Sequence, residues 1–163
     1  QVAARVALAH NRWGAEQIFV DGTGGWGSGV IDNLRMAGHS VLDVNASGSA
    51  QDPMYFNART EMWFRMAQWV KGGGCLPNDP DLLRELTTAT YSFKDGRLLL
   101  EPKELMKKRL GYSPDLADGY AQTFYLPEMP GNFVLPNGAQ LQLMDPPKHR
   151  ETSWDYNPLE RRD

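Results

Sequence analysis

The stretch Ile18-Phe19-Val20-Asp21-Gly22-Thr23-Gly24-Gly25-Trp26-Gly27-Ser28-Gly29 decides how this chain is read. Its apolar start predicts a short strand over Gln17–Val20, buried on both faces if central. Asp21 stands at the strand's end, and the glycines after it predict a thin loop over Gly22–Gly29. Far downstream, Ser113-Pro114-Asp115-Leu116-Ala117-Asp118 predicts a helix capped by Ser113, with Pro114 at its first position, running to about Leu126. Asp115 and Asp118 are three apart and share a helical face. A carboxylate at a strand end beside a thin loop, with two more on one helix face, is how a chain builds a divalent-metal site. That reading requires the two places to meet in space.

Working outward, Val2–Trp13 has helical spacing of apolar residues and Gly14 as its stop. Val30–Ala37 is a second helix with Gly38 as cap, and Ser40–Val44 a second strand. The order helix–strand–helix–strand implies a right-handed crossover and a parallel strand pair. Asn57–Val70 is a long helix whose Met62, Met66 and Trp69 make one stripe, with Trp63 and Val70 beside it, read as core packing. Asp79 or Asn78 caps a short helix over Pro80–Thr87. Tyr91–Phe93 and Arg97–Leu100 flank Lys94-Asp95-Gly96 as a hairpin. Pro102–Leu110 is a short basic helix. The composition changes after Pro127. Phe133–Leu135 and Gln140–Leu143 read as a weak hairpin around Asn137-Gly138, within an arm or partly disordered tail. The organisation is therefore a domain over 1–126 and a tail over 127–163.

A length of 163 residues fits one domain with such a tail. No apolar run approaches the ~18 residues that span a bilayer. Arg5, His10 and Arg12 interrupt the only apolar stretch near the start, so no signal-peptide pattern is present. The single cysteine, Cys75, excludes an internal disulfide and a cysteine-based zinc site, and points to a reducing, intracellular setting. The net charge of −3 argues against coating nucleic acid by bulk attraction. A nuclease stays open, because metal ions neutralise phosphate locally. Lys103, Lys107, Lys108 and Arg109 cluster just before Asp115, either as a solvated helix face or as phosphate contacts.

Two competing readings need weighing. Gly22-Thr23-Gly24-Gly25-Trp26-Gly27 matches G-x-G-x-x-G between a strand and a helix, and Asp43 lies roughly where a ribose-binding acid belongs. Against a dinucleotide site, Asp21 would face the pyrophosphate, and Trp26 is bulky where close backbone approach is wanted. Asp115 and Asp118 also suit the first turn of a helix through its dipole. Asp118, however, lies among the small apolar residues Ala117 and Gly119, where an acid needs a partner or a metal. Arg59 and Glu61 either pair with neighbours or contribute to the site. His10, His39 and His149 share no spacing, no nucleophile–histidine arrangement is visible, and there is no P-loop.

Three motifs in order carry a resemblance: Ile18–Leu34, then Asn57-Ala58-Arg59-Thr60-Glu61-Met62-Trp63, then Leu105–Arg109 followed by Ser113–Asp118. Over about Val2–Tyr125 the sequence resembles the C-terminal nuclease domain of the large terminase subunit of tailed bacteriophages. The resemblance implies an α/β, ribonuclease H-like fold, with a mixed sheet flanked by helices. It implies a metal-dependent DNA endonuclease that cuts concatemeric viral DNA by two-metal phosphodiester hydrolysis, with metals about 3.5–4 Å apart. Asp21 would be the acid on the central strand, and Asp118 with Asp115 the acids of the late helix. Oxygen-only ligands favour Mg2+ or Mn2+. Lys107, Lys108 and Arg109 would contact phosphate. Double-stranded viral DNA, the small terminase subunit and the portal would be partners. An ATPase domain would normally precede in the same chain, and the setting would be the bacterial host cytoplasm. The family's nuclease domain opens with a strand bearing another aspartate, and this sequence starts after it. The expected fold is thus N-terminally incomplete, and a catalytically silent docking module is the alternative.

Overall fold

Val2–Trp13 forms helix α1, and Gly14 ends it in the left-handed region, at φ 59°, with its N–H returned to the His10 carbonyl. Strand β1 is Ile18–Asp21 and strand β2 is Val41–Val44, with helix α2, Ser28–Met36, between them. The strands are parallel, Ile18 opposite Val41 and Asp21 opposite Val44. In the computed structural model, residues 1–126, 132–134 and 140–142 are described. Residues Gln1–Leu126 form one compact unit and Pro127–Asp163 a second. Among the described residues no helix is long and apolar enough to cross a membrane.

Side chains alternate across a strand, so the parallel pair feeds two cores. Ile18, Val20 and Val41 pack with Ile31 and Leu34 of α2 and with Val6 and Ala7 of α1. Phe19 and Val44 face the other way. They meet Met62, Trp63 and Met66 of helix α3 (Ala58–Lys71), together with Ala117 and Ala121 of helix α6 (Asp115–Gln122). Asp21 is two residues from Phe19 and belongs to that second face.

Helix α4, Pro80–Thr88, is capped by Asp79, whose carboxylate accepts the Asp81 and Leu82 N–H groups at 2.8 and 3.1 Å. Strands β3 (Tyr91–Lys94) and β4 (Arg97–Leu100) form the expected antiparallel hairpin. Its turn residues Asp95 and Gly96 have φ 51° and 74°, the pair of positive values that a type I′ turn demands. Helix α5 is Lys103–Leu110. In the second unit, β5 (Asn132–Val134) pairs antiparallel with β6 (Gln140–Gln142), as the sequence suggested. The reading of the rest of 127–163 as an arm or tail lies outside the described residues.

Four expectations need adjustment. The glycine loop is shorter, because Thr23–Gly25 takes a turn of 3-10 helix and α2 starts at Ser28. The parallel and antiparallel pairs are separate ladders among the described residues, rather than one mixed sheet. Ser113 does not cap α6: Pro114 is the N-cap residue, without a side-chain cap, and the Ser113 hydroxyl donates to Asp115 at 2.6 Å instead. Finally, α6 stops at Gln122, four residues short of the expected Leu126.

Asn57 joins two elements at the cleft described below. Its Oδ1 accepts the Thr60 N–H at 2.9 Å and the Thr60 hydroxyl at 2.8 Å, capping α3. The Thr60 Oγ1 in turn accepts the Leu100 N–H of β4 at 3.0 Å. Asn57→Ala is therefore expected to cost about 1–2 kcal/mol in urea unfolding, at the high end of cap losses. A loss below about 0.3 kcal/mol would show that water replaces the cap.

Candidate active site

The strand end and the late helix do meet. Asp21 from β1 and Asp118 from α6 both line one cleft of about 360 Å³, shared with Thr23, Asn57, Arg59, Trp63, Glu101 and Lys103. The glycine loop allows this by passing close behind the strand: a Cβ on Gly27 would stand 2.3 Å from the Asp21 carbonyl oxygen. The closest approach at Gly22 is made by the Asp43 carboxylate, whose oxygen would lie 1.8 Å from an added Cβ. Asp43 thus packs tightly against the first glycine of the loop.

Asp21 accepts the Thr23 N–H at 2.9 Å through Oδ1, and no salt bridge reaches it among the described residues. Asp118 is differently placed. Its Oδ1 accepts from Trp63 Nε1 at 2.9 Å and Arg59 Nε at 3.2 Å, and its Oδ2 lies 3.1 Å from Lys103 Nζ. The Arg59 guanidinium also lies over the Trp63 ring, 5.5 Å from its centroid, and donates to the Glu101 carbonyl at 2.9 Å. One carboxylate therefore holds two cations and an indole.

Asp115 stands outside the cleft lining. Its side chain is 75% exposed against 15% for Asp118, and it meets the cleft only through Lys103, at 3.0 Å. Hydrogen bonds from Ser113 and then Lys103 hold the Asp115 carboxyl below its ordinary range. For Lys103, burial is the largest influence and favours the neutral form. The hydrogen bonds and charges of Asp115 and Asp118 together outweigh it and hold the ammonium above its usual pKa.

Arg109, which the sequence offered as a phosphate contact, is paired within the chain. It is locked to the buried Glu101 carboxylate through both terminal nitrogens, one at 2.7 Å, and also donates to the Thr88 carbonyl at 2.6 Å. Lys107 and Lys108 are exposed on α5 and do not line the cleft. Glu61 is likewise structural: it is buried and accepts from Arg65 at 2.6 Å and from the Gln51 N–H at 2.7 Å. Reading Lys103 with Asp118 was beyond sequence spacing, since 15 residues separate them. Arg59 and Trp63, at i and i+4, do share a helix face, and that signal was legible.

Burial alone would raise Glu101, but the Arg109 and Thr90 hydrogen bonds and the Arg109 charge bring it below its ordinary 4.5. A depressed folded pKa contributes stability above the unfolded value, which is lost as pH falls through the folded one. The melting temperature should thus drop on acidification from about pH 5 to about pH 3, and less steeply in Glu101→Gln. Identical pH profiles for the two proteins would show that the Arg109 pair is not coupled to folding.

No protein-family model and no curated protein matches the sequence. Solved structures do. The nuclease domain of the large terminase subunit gp2 of bacterial virus Sf6 superimposes with a TM-score of 0.61 at 23% identity, over 77% of this chain and 72% of that one. A mutant of the same domain with manganese and β-thujaplicinol gives 0.61 at 22% identity, over 77% and 72%. Another, with calcium, gives 0.61 at 23%, over 77% and 71%. The chain has the fold of a terminase nuclease domain. In this fold, the cleft between β1 and α6 is lined by both Asp21 and Asp118. Its lining includes no cysteine or histidine, and its donors are carboxylate, hydroxyl and amide oxygens, which suit a hard divalent cation. The fit is incomplete in number: among the described residues no three acidic, histidine or cysteine side chains converge on one point.

Proposed function

We propose that this chain is a metal-dependent DNA endonuclease of a phage packaging terminase. The observation that carries the reading is the convergence of Asp21 and Asp118 on one cleft within the terminase-nuclease fold. Asp21 and Asp118 would hold Mg2+ or Mn2+, with Asp115 a weaker third residue. The bound metals would activate water and stabilise the leaving oxygen of an in-line phosphodiester displacement. The chain's own residues do the rest. Asp118 would hold the cation beside Lys103, whose ammonium now lies 3.1 Å from its Oδ2. Asp115, 3.0 Å from the same ammonium, is the carboxylate that keeps the lysine at hand. Arg59, braced by Trp63 and the Glu101 carbonyl, fixes the Asp118 rotamer.

The substrate in this reading is double-stranded viral DNA in the host cytoplasm, with the small terminase subunit, the portal and an ATPase domain as partners. A second reading, a catalytically silent docking module of the packaging motor, is favoured by one observation: both Asp118 oxygens are already paired. Calorimetric titration with Mn2+ separates the two. The nuclease reading expects saturable binding by the wild type, weakened at least about tenfold in Asp21→Asn. Equal heats from both proteins would favour the docking module.

A further inference from the structure

The tip of the β3–β4 hairpin carries a charge arrangement that the fold itself does not use. Lys94 and Arg97 are directly opposed in the ladder. Both lie over one ring, Phe56, with Nζ of Lys94 4.4 Å and Cζ of Arg97 4.6 Å from its centroid. Like charges opposed across a ladder are destabilising. The quadrupole of Phe56 offsets part of that cost. No carboxylate lies in ion-pair reach of either cation among the described residues, Asp95 of the turn included. Two cations are thus held together on one aromatic plate with no acid beside them among the described residues.

Their position indicates which anion they would meet. Arg97 and Leu99 are two residues apart on one strand, so they share a face about 7 Å apart. Leu99 lines the cleft that holds Asp21 and Asp118. Phe56 immediately precedes Asn57, another cleft residue. The cationic tip thus continues the Leu99 face of β4 outward from the cleft. We propose that Lys94 and Arg97 clamp the phosphate backbone of duplex DNA entering the cleft, and that the DNA path runs over this hairpin rather than over α5. The inference rests on the nuclease reading for the identity of the polyanion.

The test is fluorescence anisotropy of a labelled DNA duplex in Ca2+ across a salt series. The double variant Lys94→Ala/Arg97→Ala should bind about tenfold more weakly at about 0.1 M salt, with the slope of log affinity against log salt reduced by about two. Its melting temperature should not fall, because the substitutions remove an opposed like-charge pair. Lys107→Ala/Lys108→Ala should leave the slope unchanged. Phe56→Leu keeps the charges but loses their platform, and should weaken binding about twofold to threefold. A hairpin variant with the wild-type slope, or a wild type that binds no duplex, overturns the proposal. Plasmid cleavage by the wild type in Mn2+ is scored separately. Hairpin-dependent binding without cleavage keeps the clamp and removes the nuclease reading. Cleavage with hairpin-independent binding does the reverse.

Discussion

Asp118→Asn is expected to reduce Mn2+-dependent nicking of supercoiled plasmid by at least about a thousandfold. The amide keeps an oxygen for Trp63 and Arg59 but removes the only charge that both Arg59 and Lys103 face inside the cleft. The cleft then carries two cations beside Asp21 and repels a third. Part of the effect reaches stability. Arg59 and Asp118 are both about one-sixth exposed, so unpairing them should cost about 1–3 kcal/mol, less than for a fully buried pair. Asp21→Asn should match the catalytic loss with less effect on folding, since among the described residues the Asp21 carboxylate accepts only the Thr23 N–H. Asp115→Asn should lose under about tenfold, because that carboxylate reaches the cleft only through Lys103. A loss at Asp115 equal to that at Asp118 would make it a full rather than a weaker member of the metal-holding set.

The largest effect on folding is expected away from the cleft, at Glu85. This α4 residue is buried, and its Oε2 accepts the Ala117 N–H at 2.7 Å. Helix α6 has no side-chain cap of its own, so Glu85 supplies one from another helix, one residue before Asp118. A carboxylate at a helix N-terminus is doubly favoured, by the hydrogen bond and by the dipole. Glu85→Ala leaves a buried N–H unpaired and opens a cavity, and should cost about 2–4 kcal/mol in urea unfolding. Glu85→Gln keeps an acceptor and should cost about 1 kcal/mol. Equal, small losses in both variants would mean that α6 is held by packing alone, through Ala117 and Ala121.

Local chemistry made most elements readable. Gly14, Asp79 with Pro80, and Asp95-Gly96 each forced a stop, a start or a turn, and the structure placed them there. The parallel pair followed from the order of elements. Ser113 misled because a serine before a proline has the signature of a cap, whereas Asp115 competes for its hydroxyl and Glu85 takes over the helix N-terminus. The acids of the site were visible by type and spacing. Their electrostatic partners were not. Lys103 reaches Asp118 across a turn between two helices, and Arg109 turns inward to Glu101. Both sit in one basic run whose members differ only in which helix face they occupy. The hairpin cations Lys94 and Arg97 carried no sequence signal, because their relation to Phe56 exists only once that segment bridges to β4 through Tyr55 and Leu98.

The most direct test of the account is supercoiled plasmid incubated with the wild-type protein and Mn2+, against the same mixture with chelator. The account predicts nicked and then linear plasmid with metal and none without. Plasmid that stays supercoiled in Mn2+, from a sample that is folded and takes up no Mn2+ by calorimetry, would contradict it and leave the docking module as the reading of this cleft.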